Sequence, residues 1–368
     1  MTDWTSVATD VAERIEKGAV EGDRSGQTSH EAFALIRSEG ISSALVPTEF
    51  GGGGVTHAEM GEMLRILGAA DPSTAVTLTM HSHVVAAQVW SHNRGMDASG
   101  VLTKVAGGTL VASGGASDWI ESSGTAEKVV GGFLVSARKS PMSGCEVFDI
   151  LASSVRWDDA PEGPSVIHFP VPLGADEVTI EETWDAMGLR ATGSHTIAFD
   201  GLFVPDEAVN LIRPSDRWAP IWSTILGAAL PLIMSAYVGI ADRAVSTALD
   251  IVKARTPEPP FSLIGEMLNA HTTGADAVEA MFTSAENLTF DSNERQASLA
   301  LQRKTIASES LVRSVRLAMD VVGGASYSRA LPLERLYRDV HGCLYHPLAR
   351  GRQIEFSGRV ATGFEPIV

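Results

Sequence analysis

Two histidines in one apolar segment are the first side chains whose chemistry could bind a metal ion. His81 and His83 lie two residues apart within STAVTLTMHSHVVAAQVW, which the spacing predicts to be a core helix. A helix turns once in about 3.6 residues, so side chains two apart point to different faces, whereas a metal-binding pair favours positions one turn apart. Neither cysteine, Cys145 or Cys343, belongs to a CxxC pair. We therefore predict no metal site and no disulfide framework.

A glycine run from Gly51 to Gly54 has the composition of a phosphate-binding loop. Loops that bind phosphate at a helix N-terminus usually follow a strand, and the residues before Gly51 have helical spacing. The sequence has no Walker motif, no GxGxxG after a strand and no nucleophile elbow around a serine. We therefore interpret the run as a helix-to-helix loop and predict no Rossmann or P-loop nucleotide site.

Arg255 and the pair Gly323–Gly324 are stronger candidates for contacts to a ligand. Arg255 precedes Thr256 and Pro257, which places it in the last turn of a helix. There it can bind helix carbonyls or make a bidentate contact to a phosphate. The glycine pair follows an amphipathic helix, where it either ends the helix or lets the backbone approach a ligand or a partner closely.

The elements that would position these residues change in type along the chain. Residues 1–105 show apolar side chains at helical spacing, and the same period returns in residues 213–368. Residues 106–212 contain short β-branched and aromatic runs separated by turn residues, the pattern of a small antiparallel β-domain, barrel or sandwich. The charged group Glu334, Arg335, Arg338 and Asp339 alternates in sign at helical spacing and predicts structural ion pairs. The order is therefore helical domain, β-domain, helical domain.

Composition limits the function further. The chain of 368 residues carries a net charge of −17, which argues against a protein that binds nucleic acid or an anionic membrane. The first residues lack the basic and apolar regions of a signal peptide, and two cysteines suit a reducing compartment, so we expect a cytoplasmic protein. One apolar stretch, residues 221–240, is long enough to span a membrane. Pro231 and the charges that follow it favour a buried helix instead.

Five segments in order resemble the acyl-CoA dehydrogenase superfamily of flavoproteins along nearly the whole chain. They are VPTEFGGGG, similar to the family's Pro-Glu-x-x-Gly-Gly loop with Thr48 inserted, VVGGFLVSARKSPMSG, MGLRATGSHTIAFDGLFVPDEAV, IVKAR and DVVGGASYSRALPLERLYRDV. The resemblance implies an α+β fold of three parts. These are an N-terminal all-α domain, a central antiparallel β-domain and a C-terminal domain resembling a four-helix bundle.

The same resemblance implies a flavin between the β-domain and the C-terminal helices. FAD would be contacted by Ser143 and by Ser113 or Ser117 from the β-domain. Arg255, Gly323 and Gly324 would reach it from a neighbouring subunit, which implies a homodimer or homotetramer. The alternative cofactor is reduced FMN or FAD supplied by a flavin reductase, and an electron-transfer flavoprotein is the other implied partner.

The chain departs from the family at the residues that perform dehydrogenation. Removal of an α-proton from an acyl thioester needs a positioned carboxylate. The two positions where the family carries its glutamate correspond to Pro347 and Ala229, and neither side chain is a base. The Thr-Glu of the first flavin-contact segment is also missing. His346 matches the position at which the superfamily's flavin monooxygenases carry a histidine, so the resemblance makes it the candidate acid or base, with Glu355 as the carboxylate to consider next.

Three functions therefore remain open. The first is α,β-dehydrogenation of an acyl-CoA-type thioester with hydride transfer to FAD. The second is a two-component monooxygenase that uses reduced flavin and O₂, with His346 as acid or base. The third is a subunit without catalysis that serves as the structural partner in a hetero-oligomeric dehydrogenase.

Overall fold

The computed structural model describes residues 2–115, 118–255 and 258–366, and it begins with a helical domain. Its five helices are α1 (Trp4–Ser25), α2 (His30–Ser38), α3 (His57–Ala70), α4 (Pro72–Asn93) and α5 (Ser99–Ala106). Side chains cap the N-termini of two of these helices: Ser29 caps α2, and Thr56 forms a capping box with Glu59 at the start of α3. These caps satisfy backbone N–H groups that have no partner inside a helix.

The glycine run is a packed loop between helices, as predicted. A Cβ atom on Gly52 would lie 2.2 Å from the carbonyl oxygen of Val46, and one on Gly53 would lie 2.5 Å from the Trp4 ring. The backbone of the loop therefore fits tightly against α1 and the segment before it. Space, rather than phosphate binding, explains these glycines.

The middle of the chain forms one eight-stranded sheet. Its strands are β1 (Val111–Ser113), β2 (Thr125–Val129), β3 (Gly132–Met142), β4 (Ile150–Trp157), β5 (Ser165–Pro172), β6 (Val178–Glu181), β7 (His195–Pro205) and β8 (Leu211–Pro214). The order is β6-β7-β3-β2-β4-β5-β8, and β1 pairs with β4. Buried and exposed residues alternate along β3 and β5, as expected where one face covers a core.

One detail of the sheet differs from the prediction of a purely antiparallel domain. β1 runs parallel to β4 along three residue pairs, and β2 meets β4 in parallel at Thr125 and Arg156. The remaining pairings are antiparallel. β1 is only three residues long and enters from α5, so no hairpin turn fixes its direction. The fold class is confirmed, with a mixed central sheet.

The C-terminal helices are α6 (Pro220–Arg255), α7 (Phe261–Ala285), α8 (Glu294–Val322), α9 (Leu333–Val340) and α10 (Arg350–Ala361). α6 is the one helix in the described part of the chain long and apolar enough to cross a membrane, and 94% of its most apolar window is buried inside the protein. It is therefore a core helix. Pro231 lies inside this helix, which continues past it to Arg255 with both sides of the proline buried against neighbouring elements.

Ion pairs join the two helical regions. The Arg338 guanidinium contacts the Asp23 carboxylate of α1 at 2.7 Å and the Glu334 carboxylate of its own helix at 2.9 Å. The neighbouring Asp339 carboxylate accepts a hydrogen bond from the Leu189 backbone at 2.6 Å. The prediction of structural ion pairs is confirmed for Arg338 and Glu334. The domain boundaries at residues 105 and 212 stay predictions.

Candidate active site

His346 lies on the loop between α9 and α10, against the buried middle of α6. Its Nε2 atom is 2.7 Å from the Tyr237 hydroxyl, and the two rings meet edge to face with centroids 5.4 Å apart. Tyr237 is fully buried, whereas His346 is half-buried. The imidazole is therefore partly exposed, while its Nε2 atom contacts Tyr237 on the buried side.

The hydrogen bond fixes the tautomer of His346. Burial raises the pKa of Tyr237 well above its usual value, so the phenol keeps its proton. Among the described residues, His346 is the hydrogen-bond partner of that hydroxyl. A buried O–H group needs an acceptor, so Tyr237 donates to Nε2. The proton of the neutral ring then sits on Nδ1, which has no hydrogen-bond partner in the described parts of the chain.

Burial also keeps His346 uncharged. Desolvation, helped by the nearby Lys304 ammonium and by His83, lowers its pKa to about 3. The role of His346 as acid or base stays a prediction, and a base with this pKa would be unprotonated at neutral pH. At neutral pH the ring carries no proton to give as an imidazolium, and its basic nitrogen is occupied by Tyr237. His346 can instead act as a neutral hydrogen-bond donor through Nδ1–H.

His83 of α4 lies near His346, because its imidazole contributes to the lowered pKa of that residue. In the sequence, His83 is considered only as half of a metal-binding pair, and that role is rejected. Its Nδ1 lies 3.0 Å from the Thr79 carbonyl, so Nδ1 carries the proton and Nε2 carries a lone pair. His81, by contrast, uses both ring nitrogens on the backbone of Ser42 and Val111. His81 is therefore structural, whereas the Nε2 atom of His83 has no hydrogen-bond partner within the described ranges. Burial lowers the pKa of each to about 4.

In the described parts of the chain, no carboxylate is hydrogen-bonded to the His346 ring. Ala229 is buried in α6, and Glu355 is exposed on α10. Among the charged and titratable groups that shift the pKa of His346, none in the described residues is an acid. The nearest buried acid behind Tyr237 is Asp339, whose pKa burial raises to about 7 and which already accepts from Leu189.

The β-domain presents a group of hydroxyls at the junction of β3 and β7. Ser143 and Ser194 share a hydrogen bond of 2.8 Å, and Ser194 shares another of 2.7 Å with Thr192. Ser143 is half-buried, so it faces outward from this group. Ser113 ends β1 and is also half-buried. Ser117, the alternative to Ser113, lies outside the described residues.

A groove of about 770 Å³ opens beside the end of α8. Gly323 and Gly324 line it with Arg316 and Arg329, and open space surrounds the position of a Cβ atom on either glycine. Gly323 has φ of 75° and ψ of −159°, a conformation that only glycine adopts without strain. Arg255 is exposed at the end of α6, and its guanidinium has no hydrogen-bond partner within the described chain.

Comparison with known proteins identifies the family. Residues 5–108 match the N-terminal domain of acyl-CoA dehydrogenases, and residues 222–343 match the C-terminal domain. The amino sugar nitrososynthase DnmZ of Streptomyces peucetius is 26% identical over 95% of this chain and 90% of its own. The putative acyl-CoA dehydrogenase YdbM of Bacillus subtilis is 25% identical over 94% and 92%. The chain therefore belongs to the acyl-CoA dehydrogenase superfamily.

A solved relative shows which cofactor such a fold holds. The X-ray structure of KijD3 in complex with FMN and dTDP-3-amino-2,3,6-trideoxy-4-keto-3-methyl-D-glucose is 27% identical, with a TM-score of 0.86 over 99% of this chain and 95% of the other. The donor set is compatible with a flavin, because hydroxyls can hydrogen-bond its ring and the glycine-lined groove carries Arg329 and Arg316, the latter paired with Asp320. That these residues hold the cofactor stays a prediction. The protein is a flavin-dependent oxidoreductase.

The sequence alone located some of these residues and missed others. It singled out His346, Ser143 and the glycine pair through the resemblance. It missed Tyr237, which is one aromatic residue in an apolar run, and Lys304, which lies in a charged run that reads as a solvent-facing helix. Their side chains became visible as site residues only through their contacts with the loop of His346.

Proposed function

We propose that this protein is a two-component flavin-dependent monooxygenase that oxygenates a nucleophilic nitrogen of a small molecule. The observation that carries the proposal is that Pro347 and Ala229 stand where the family carries its glutamate, while the His346 imidazole, next to Pro347, is hydrogen-bonded to Tyr237 and lies near His83. Relatives support the nitrogen substrate, since DnmZ is an amino sugar nitrososynthase and another relative is the isobutylamine N-hydroxylase of Streptomyces viridifaciens.

The charges around the site favour an uncharged amine. A nitrogen must lose its ammonium proton before it can act as a nucleophile. Lys304 brings a positive charge near His346, and no acid in the described residues shifts the pKa of that histidine. A buried site with these properties lowers the pKa of a bound amine. The substrate would therefore bind in its reactive, neutral form.

The two histidines offer complementary hydrogen bonds to substrate. The Nδ1–H of His346 donates, and the Nε2 lone pair of His83 accepts an N–H of an amine or of a hydroxylamine product. His83 is buried and His346 is half-buried, so both contacts would form at a partly desolvated position, where hydrogen bonds are stronger than in water. Reduced flavin, when bound, supplies the two electrons that activate dioxygen. Ser143, Ser113, Arg255, Gly323 and Gly324 remain the residues proposed to hold it, with Arg255 and the glycines acting on a neighbouring subunit of a homo-oligomer.

The direct test supplies reduced FMN or FAD from a flavin reductase with ¹⁸O₂ and a panel of primary amines, amino sugars among them. We expect ¹⁸O in a hydroxylamine or nitroso product, and we expect His346→Ala to lower turnover by about 10²-fold. His341→Ala is the matched control, because that imidazole binds the Tyr337 carbonyl and lies away from Tyr237. Oxidation of reduced flavin without label in any product would contradict the proposal.

The second candidate is dehydrogenation of an acyl-CoA thioester, which the family and the relative YdbM favour. This reaction needs no oxygen, so anaerobic addition of an acyl-CoA series to the fully flavinylated protein separates the two candidates. Bleaching of the flavin absorbance by any member would support dehydrogenation and an electron-transfer flavoprotein as partner. We expect no bleaching.

A further inference from the structure

Lys304 is a buried lysine whose ammonium binds only backbone oxygens. Its side chain is 1% exposed on α8, and its Nζ donates to the carbonyls of Leu344, His346 and Leu348 at 3.5, 2.8 and 3.4 Å. No carboxylate lies within ion-pair distance of it among the described residues. Burying an ammonium without a counterion is costly, so each of its three N–H groups needs a hydrogen-bond acceptor.

We propose that Lys304 is a positioning residue, whose ammonium group holds the loop of residues 344–348 so that His346 meets Tyr237. The proposal deepens the proposed function, on which it rests, by naming the group that fixes the His346 donor. The geometry points to this role because the three carbonyls belong to alternate residues around one histidine. A single donor group therefore determines the path of the backbone on both sides of His346.

Neighbouring contacts on α8 hold the same segment at both ends. Ser308, one turn after Lys304, donates to the Cys343 carbonyl at 3.2 Å. Thr305 donates to the side chain of Gln353 on α10 at 2.9 Å. These two residues anchor the flanks, whereas Lys304 is the hydrogen-bond partner of the His346 carbonyl among the residues that the structure describes. Without its ammonium, three inward carbonyls would lack partners, and the loop would rearrange to satisfy them.

The first readout requires no substrate. In protein labelled with ¹⁵N-histidine, the signal of His346 is assigned by its loss in His346→Ala, and the wild type is expected to show the proton on Nδ1. In Lys304→Met we expect that signal to move toward the Nε2–H tautomer, because the bond from Tyr237 is lost. The His81 signal is an internal control, and Lys17→Met, which removes an exposed lysine of α1, is the matched variant.

The second readout is kinetic. With a substrate established as above, Lys304→Met should lower kcat by about 10-fold or more while KM and flavin affinity stay within about two-fold. Added to His346→Ala, the same change should have almost no further effect, since both act through one imidazole. If Lys304 had only a structural role, its replacement would lower thermal stability without changing the tautomer of His346. In that case kcat would not fall selectively while KM stays unchanged.

Two results would overturn the proposal. One is a folded Lys304→Met protein whose His346 signal matches the wild type; the other is a loss of kcat that adds fully to that of His346→Ala. Lys304→Gln, which keeps an amide donor of similar reach, serves if the methionine variant does not fold, and it should give an intermediate tautomer ratio. Absence of any oxygenation, with the tautomer changed as expected, would refute the proposed function and leave the positioning role supported.

Discussion

Replacement of Tyr237 by phenylalanine tests the tautomer argument most directly. The change removes one hydroxyl from a fully buried ring and keeps the ring's shape, so the main loss is the 2.7 Å hydrogen bond to His346. A neutral hydrogen bond contributes about 1 kcal/mol net, and up to about 1.5 kcal/mol. The free energy of unfolding should therefore fall by about 1 kcal/mol, with no cavity beyond the volume of one oxygen atom.

The effect on activity follows from the same energy. The hydrogen bond favours the tautomer with the proton on Nδ1 by about 1–1.5 kcal/mol. Its loss therefore lowers the ratio of this tautomer to the Nε2–H tautomer about 5- to 12-fold. We expect Tyr237→Phe to lower kcat for oxygenation by about that factor, and by less than His346→Ala does. Turnover is measured as ¹⁸O-labelled product, and stability by urea denaturation.

The control for this prediction is Tyr345→Phe, which removes the hydroxyl of an exposed tyrosine next to His346. That variant should match the wild type in both assays. A Tyr237→Phe protein that loses stability but keeps its full kcat would refute the reasoning, because the hydrogen bond would then be structural only. An unchanged His346 tautomer would lead to the same conclusion.

Three further predictions concern stability and the cofactor. Burial lowers the pKa values of five histidines to about 4 or 3, so their imidazoles bind fewer protons in the folded protein than in the unfolded chain below about pH 6.5. Urea denaturation should show stability falling from there by up to about 1.4 kcal/mol per pH unit for each histidine, opposed in part by Asp339 and Asp71, whose pKa values burial raises, and a flat profile would contradict this. Gly52→Ala should lower the free energy of unfolding by about 2 kcal/mol or more, because the new Cβ would meet the Val46 carbonyl. The control Gly18→Ala, in open space on α1, should stabilise the protein slightly, and equal melting temperatures of the two variants would be inconsistent with the packing of the loop. Arg255→Met should weaken flavin binding at least 10-fold in an equilibrium titration while Lys253→Met, in the same helical turn, should not, and equal dissociation constants would remove Arg255 from the cofactor site.

The sequence determined the order and type of the elements because those depend on local physics. Apolar side chains at helical spacing, capping residues such as Thr56 with Glu59, and alternating residues along β3 and β5 each specify their own segment. The apolar run that became α6 was identified as a buried helix for the same reason. The direction of β1 was not determined in this way, since a three-residue strand carries too little pattern to choose its partner.

The chemistry of the site was decided by contacts between residues far apart in the chain. His346 was found through a resemblance of sequence, but its neutral ring and its tautomer depend on Tyr237, which lies 109 positions earlier on α6. Lys304 and His83 come from two further helices, and neither has a sequence pattern that separates it from an ordinary helical residue. A hydrogen bond or a desolvated charge depends on which surfaces pack together. Only the tertiary structure brings α4, α6 and α8 around one loop, and with them the burial and the contact to Tyr237 that set the surroundings of His346.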